Sequence, residues 1–304
     1  MKNSMIIQWA SVMLLSTCVN AGAIEESYLE GIGTSLLFSM DETLNGGYYT
    51  FGNDQTKIDT YIFPFSKDIY SPNETLHYFL TGAIGFERYD HKGLDFGRGS
   101  IDGSEMKNHT FKLGAGARFD IAKDADLSIE TSYLYAYIDC GYNTSNPLST
   151  SAEDRLIDTL LNDDHIFHSL KLSTRIGYHP QINGYKPYIK GGLSYLYTDT
   201  DAVSDTLSHI NTVIFKVRAG VFTPTLAIVG DYPLYTELYT SYADIADDMR
   251  DITGIEHFTT VGNKFYLKSP LPIRWIDQIT VDTSYTKGNN FDGYNIGLGV
   301  TFNF

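Results

Sequence analysis

Cysteine is almost missing: the chain has two, Cys18 and Cys140. That excludes a disulfide framework and a thiolate metal cluster. Proline reaches only 9 in 304 residues, and no stretch reads as a proline-rich linker. Basic residues are outnumbered, 22 Lys and Arg against 37 Asp and Glu, for a formal charge of −15. Nucleic-acid binding needs a basic footprint, so no nucleic-acid partner is expected. Long apolar runs are missing as well. One mostly apolar stretch, residues 5–17, follows Lys2 and precedes Ala21 and Ala23. It is short of the roughly 20 residues a membrane helix needs, and has the layout of a secretory signal with an Ala-x-Ala cleavage site. We therefore expect a signal peptide over 1–23 and one domain over 24–304. Thr17 stands where a lipoprotein signal would have Gly or Ala before Cys18. Beyond Thr17 no run is long enough for a helical span, so the exported chain has none.

What is abundant is tyrosine, at 23, with 17 Phe and 27 Gly. The chain ends "GYNIGLGVTFNF", where Tyr294, Ile296, Leu298, Val300, Phe302 and Phe304 alternate with Asn and Gly and one Thr. Period two marks a strand with one apolar and one polar face. The pattern recurs in "FKLGAGARFDI", "HSLKLSTRIGY", "YKPYIKGGLSYLY" and "VIFKVRAGV". Parsed throughout, it gives about twelve strands: 28–40, 55–65, 74–88, 107–121, 125–139, 163–178, 184–199, 208–222, 229–243, 256–268, 276–287 and 292–304. Connections near 41–54, 89–106, 140–162 and 244–255 are long, whereas those near 66–73, 122–124, 179–183 and 269–275 are mostly short and carry turn residues such as "PQING".

Strands of about 13–15 residues exceed the usual 5–6 and suit a tilted membrane crossing of about 9–11. Tyr and Phe gather near strand ends (Tyr133, Tyr135, Tyr137, Tyr195, Tyr197, Tyr178, Tyr185), as interfacial girdles require. An even strand number, long loops at one end and both termini at the other describe an all-β transmembrane antiparallel barrel with periplasmic termini. Lipid admits no open sheet edge, so the barrel must close. The last strand is expected to pair with the first, near residues 28–40.

The terminal "YNIGLGVTFNF" resembles the C-terminal insertion signal of outer-membrane barrels, carried by Tyr294, Ile296, Leu298, Val300, Phe302 and Phe304. That resemblance implies a BAM-type insertion machinery as partner, and lipid with lipopolysaccharide as surroundings, in a Gram-negative outer membrane. The strand count and length resemble autotransporter translocator domains, and specifically solitary autotransporter-like barrels with no passenger. Autotransporter barrels carry a helix that enters the pore ahead of the first strand. With only residues 24–27 before the expected first strand, there is no room for one, and passenger export is not expected.

By parity the inward positions include Lys112, Arg118, Lys171, Arg175, Lys186, Lys190, Lys216, Arg218, Lys264 and Lys268, against Glu87, Asp120, Glu130, Glu237 and Asp282. They read either as a basic pore wall favouring anions or as an ion-paired plug of a closed structural barrel. The long loops are acidic: Asp139, Glu153, Asp154, Asp158, Asp163, Asp164, Asp199, Asp201, Asp205, Asp244, Asp247, Asp248, Asp251 and Glu256. They lack the glycine and terminal glutamate of a calcium loop, so no metal or cofactor is expected. "SAEDRLIDTLLND" has a Ser cap and an apolar stripe of Leu156, Ile157, Leu160 and Leu161, the pattern of a short helix at the rim. His165 and His168 beside Asp163 and Asp164, and His257 beside Glu256, are the candidates for rim catalysis. No Gly-x-Ser-x-Gly elbow accompanies them. Cys140 reads as a bystander at a strand end. The functional expectation is an outer-membrane pore for small solutes or ions, or a closed structural barrel, and not an enzyme. A surface-binding protein using its acidic loops and a rim hydrolase are the alternatives.

Overall fold

A computed structural model of the chain describes residues 46–51, 56–95, 100–143, 164–200, 209–230, 232–268 and 276–302, together with Gly31, Gly33, Thr34, Leu36 and Leu37. The strands are β1 (Gly46–Phe51), β2 (Thr56–Tyr70), β3 (Leu76–Asp95), β4 (Ser100–Ala122), β5 (Ala125–Asn143), β6 (His165–Tyr178) and β7 (Lys186–Thr200). They continue as β8 (His209–Phe222), β9 (Ala227–Val229), β10 (Tyr232–Asp247), β11 (His257–Lys268), β12 (Ile276–Gly288) and β13 (Phe291–Phe302). Twelve of them close into an antiparallel barrel, each pairing with its neighbours. The three-residue β9 is an extra, hairpinned onto the start of β10.

Period two is what the barrel displays. Leu170, Leu172 and Ile176 on β6 are each more than half exposed, as are Tyr294, Ile296 and Leu298 on β13. The residues between them point into the lumen. Turns between β2 and β3, β4 and β5, β6 and β7, and β8 and β10 share one end of the barrel, here the turn end. At one of them Asn183 and Gly184 both take positive φ, 51° and 86°, between the bridged Ile182 and Tyr185. That is the backbone twist a tight hairpin turn needs, and Asn-Gly supplies it at little steric cost. The opposite, loop end carries a short helix, Asp248–Thr253, between β10 and β11.

Most expected strands fall on β2 to β8 and β10 to β13, but the first does not. Gly31, Gly33, Thr34, Leu36 and Leu37 are helical, not extended, and the first barrel strand is β1. The last strand pairs there, from Gly47 opposite Asn295 to Phe51 opposite Phe291. The physical reason lies in two features. Adjacent Leu36 and Leu37 break period two, yet both fall on the face of a helix that Gly33 and Thr34 share. The glycines are contact points as well. A Cβ on Gly31 would sit 2.8 Å from Met106 Cε, and one on Gly33 2.7 Å from Ile252 Cγ2. A helix therefore stands in the barrel ahead of the first strand, where none was expected. The connection expected over 89–106 is also mostly strand. β3 and β4 run as a long hairpin to Asp95 opposite Ser100, tied by Arg88 at 2.9 Å from Glu105.

Candidate functional site

The lumen is built in two halves. In the loop half an inward apolar cluster, Tyr49, Ile58, Met106, Ile138, Phe167 and Ile210, all within 3% of complete burial, is interspersed with buried polar groups such as Thr60, Thr212 and the Glu87 carboxylate, which accepts from Asn108 at 3.2 Å. They pack with Leu36 and Leu37 of the inner helix, 0% and 1% exposed, and with Met249 and Ile255 from the short helix and its exit. Gly254 ends that helix at φ 63° and donates its N–H to the Arg250 carbonyl, which turns Ile255 inward. Cys140 is buried in the same cluster, a packing residue.

In the turn half the same strands present charge. Two adjoining cavities, of about 620 and 310 Å³, share Arg175, Lys190, Lys264 and Tyr266. Lys112 lies 3.9 Å from Glu130, Arg118 2.9 Å from Asp68, and Arg218 2.6 Å from Glu237. Glu237, 3% exposed, also accepts hydrogen bonds from Tyr188 and Tyr266. Arg218 lies over the Tyr239 ring, 3.8 Å from its centroid, and Tyr239 donates to Asp282 at 2.9 Å. Of the basic residues singled out by parity, Lys112, Arg118, Lys171, Arg175, Lys190, Lys216, Arg218 and Lys264 line the cavities. Lys186 and Lys268 stand exposed at the turn-end tips of β7 and β11, outside that lining.

Sequence reasoning missed Tyr188, Tyr239 and Tyr266 as lumen residues, because tyrosines were assigned to the girdles. The signal was present: they share parity with Lys190, Glu237 and Lys264. The girdle does exist on the outer face of the loop half, and histidine joins it. Tyr133 is 2.5 Å from His168 Nδ1, and Tyr197 and Tyr242 stack on His209 and His257. His165 is buried, and Asp164 accepts from Tyr137. Histidine–carboxylate pairs stand at both ends: His209 with Asp199 at 3.2 Å at the loop end, and His77 with Asp120 at 3.3 Å and His179 with Asp126 at 2.8 Å at the turn end. Residues 153–163 and 201–205, with the predicted rim helix and much of the loop acid, lie outside the described residues. Among the described residues no three His, Cys, Asp or Glu gather as a metal site. Tyr294, Ile296 and Leu298 point outward at 67, 74 and 63% exposure. Val300 and Phe302 continue β13, and Phe304 lies outside the described residues.

A closed antiparallel barrel of long strands with an apolar outer face and a helix in its lumen defines an outer-membrane barrel of the autotransporter type. Residues 27–304 match the profile of the solitary outer membrane autotransporter beta-barrel domain, and the chain belongs to that family. It resides in a Gram-negative outer membrane, with its apolar face in lipid. Among solved structures it is similar to the translocator domain of the autotransporter NalP from Neisseria meningitidis, with 12% identity and TM-score 0.59 over 85% of this chain and 86% of that one. It is also similar to the beta domain of the Bordetella autotransporter BrkA, with 10% identity and TM-score 0.53 over 83% and 92%. A third is the transport unit of AIDA-I from Escherichia coli, with 12% identity and TM-score 0.51 over 91% and 99%. At these identities the likeness is one of fold. No curated protein matches the chain.

Proposed function

We propose that the protein is a plugged, non-enzymatic barrel: an aqueous charged vestibule in the turn half, sealed by an apolar plug in the loop half. The carrying observation is the burial of Leu36 and Leu37 among inward apolar residues of the wall. Ions need water or polar ligands along their path, and an apolar constriction without them is a barrier. In this reading the chain is exported by its signal peptide and inserted by a BAM-type machinery through β13. The termini and the vestibule then face the periplasm. Small solutes enter the vestibule from that side and pass only when the inner helix withdraws. Planar-bilayer conductance tests it. The wild-type barrel is expected to stay closed for most of the record, and Leu36→Asp with Leu37→Asp to raise mean conductance severalfold. Equal conductance in the two, with heat-modifiable gel mobility showing both folded, overturns the plug.

A further inference from the structure

The smaller cavity is rich in cations. Among the described residues lining it are six cations, Lys171, Arg175, Lys190, Lys216, Arg218 and Lys264, and one carboxylate, Glu237. Glu237 is already taken up by Arg218, Tyr188 and Tyr266. Of the other acids of the vestibule, Asp282 stands opposite Lys264 and accepts from Tyr239, and Asp68, Asp120, Asp126 and Glu130 line the larger cavity on the β2–β5 side. Arg175 and Lys190 have no carboxylate within ion-pair distance among the described residues, and Lys190 rests 5.3 Å over the Tyr188 ring.

The strand register gives this excess a shape. Arg175 pairs with Gly192, and Gly192 with Lys216, so two cations flank a position with no side chain. One row toward the turn end, Lys190 lies opposite Arg218. One row toward the loop end, Ser173 and Ser194 sit opposite each other with hydroxyls 2.9 Å apart. Lys190 thus faces a like charge whose own carboxylate, Glu237, is already shared with Tyr188 and Tyr266. A glycine floor ringed by Arg, two Lys and two hydroxyls is what a tetrahedral oxyanion needs: bidentate and point-charge donors around an open seat.

Resting on the reading of the turn half as a water-filled vestibule, we propose that Gly192, Arg175, Lys190, Lys216, Ser173 and Ser194 form a binding site for a small phosphate-bearing anion. A volume of about 310 Å³ fits a phosphate or pyrophosphate group with its water. On the β2–β5 side Lys112 and Arg118 are met by Glu130 and Asp68, so the cations left for the ligand are those of β6–β8.

The test is calorimetric titration of the folded full-length barrel, in octyl glucoside and phosphate-free buffer at low salt, with inorganic pyrophosphate. Saturable one-site binding is expected, weakened at least tenfold by R175S and by G192L, which fills the floor. Lys107→Ser, at the loop end, should leave it unchanged. Glycerol phosphate is the second arm: affinity equal to that of pyrophosphate assigns the site to phosphomonoesters such as lipid headgroups. Much weaker binding assigns it to free inorganic oxyanions. No saturable binding to wild type, or equal affinity in both folded variants, overturns the site. Conductance reads the plug independently. A leaky barrel that binds pyrophosphate defeats the plug alone, and a closed barrel that binds nothing defeats the cradle alone.

Discussion

The two halves of the lumen are lined by the same strands, yet one buries an apolar cluster and the other presents charge, a dry and a wet half in the reading proposed above. β6 runs inward from His165, Phe167 and Ser169 to Lys171, Ser173 and Arg175. β8 runs from Ile210, Thr212 and Ile214 to Lys216 and Arg218. β7, in the opposite direction, passes from Lys190 and Ser194 to Leu196 and Thr198. The switch falls at one level, since Ser173 pairs with Ser194 and Ser194 with Ile214. Parity therefore assigns a face, and depth along the strand assigns the chemistry of that face. Leu36 and Leu37 share one cluster with the apolar lining, which makes plug and wall one hydrophobic core inside a barrel whose outer surface is also apolar.

The sharpest way to break this comparison is to excavate each half. Phe167 is fully buried in the apolar cluster. Phe167→Ala should cost about 3–5 kcal/mol in reversible urea unfolding of the vesicle-inserted barrel, because the cavity it leaves has no water to fill it. Ser194→Ala in the wet half removes one hydroxyl contact with Ser173 and should cost about 1 kcal/mol or less. Equal losses would mean that the two halves do not differ in hydration.

This division was only partly legible in the sequence. Alternation exposed the barrel and the inward lysines and arginines, because a lipid face tolerates almost nothing polar and so writes its period strongly. It did not expose the plug. Leu36 and Leu37 follow two glycines that dilute any helical period, and the residues that meet those glycines, Met106, Tyr89 and Met249, are distant in sequence. Nor does residue type distinguish Tyr188 and Tyr266, which serve Glu237, from Tyr195 and Tyr178, which face outward. An aromatic residue suits both faces, and parity with the neighbouring Lys190 and Lys264 is what separates them.

The outer wall offers the next test, by contrast with the wet half directly beneath it. Leu172 is 52% exposed on the lipid face, and Ser173 beside it lines the cavity. Arg at Leu172 should destabilise the inserted barrel by about 2–4 kcal/mol, the cost of a guanidinium near the bilayer centre. Arg at Ser173 escapes the lipid penalty but adds a cation to the cradle, so its loss should be smaller and should shrink with rising salt. Salt-insensitive losses of equal size would mean that β6 is rotated.

Within the wet half, Arg218 and Glu237 separate a charged network from the open cradle. Arg218→Met leaves Glu237 with Tyr188 and Tyr266 as donors and should cost about 1.5–3 kcal/mol, as removing a hydrogen bond to a buried charged group does. Adding Glu237→Gln should recover part of that loss, since the remaining group is no longer a buried charge. If the double variant is no more stable than the single one in the same unfolding experiment, the pair is not coupled.

The smallest effect is expected at the turn end, and it separates a clasp from a catalyst. Asp120 only accepts, so His77 donates from Nε2, 3.3 Å away, and its Nδ1 accepts from the Ser71 hydroxyl at 2.8 Å. The chain of Ser, His and acid has the order of a nucleophilic triad, but with the ring nitrogens exchanged. All three residues are exposed in their hydrogen bonds, and the surrounding bonds stitch a turn: the Thr75 N–H donates to Asn73 Oδ1, and the Asp120 N–H to the Thr75 carbonyl. Those two amides are already bonded, so neither is free to serve an oxyanion. The arrangement therefore ties the β2–β3 turn to β4. Exposed pairs of this kind contribute about 0–1 kcal/mol, so Ser71→Ala and Asp120→Asn should each stay within that range in urea unfolding. The folded wild-type barrel should also stay unlabelled by a fluorophosphonate probe. Labelling at Ser71 that disappears in His77→Ala would show an activated hydroxyl and make the turn end a hydrolytic site.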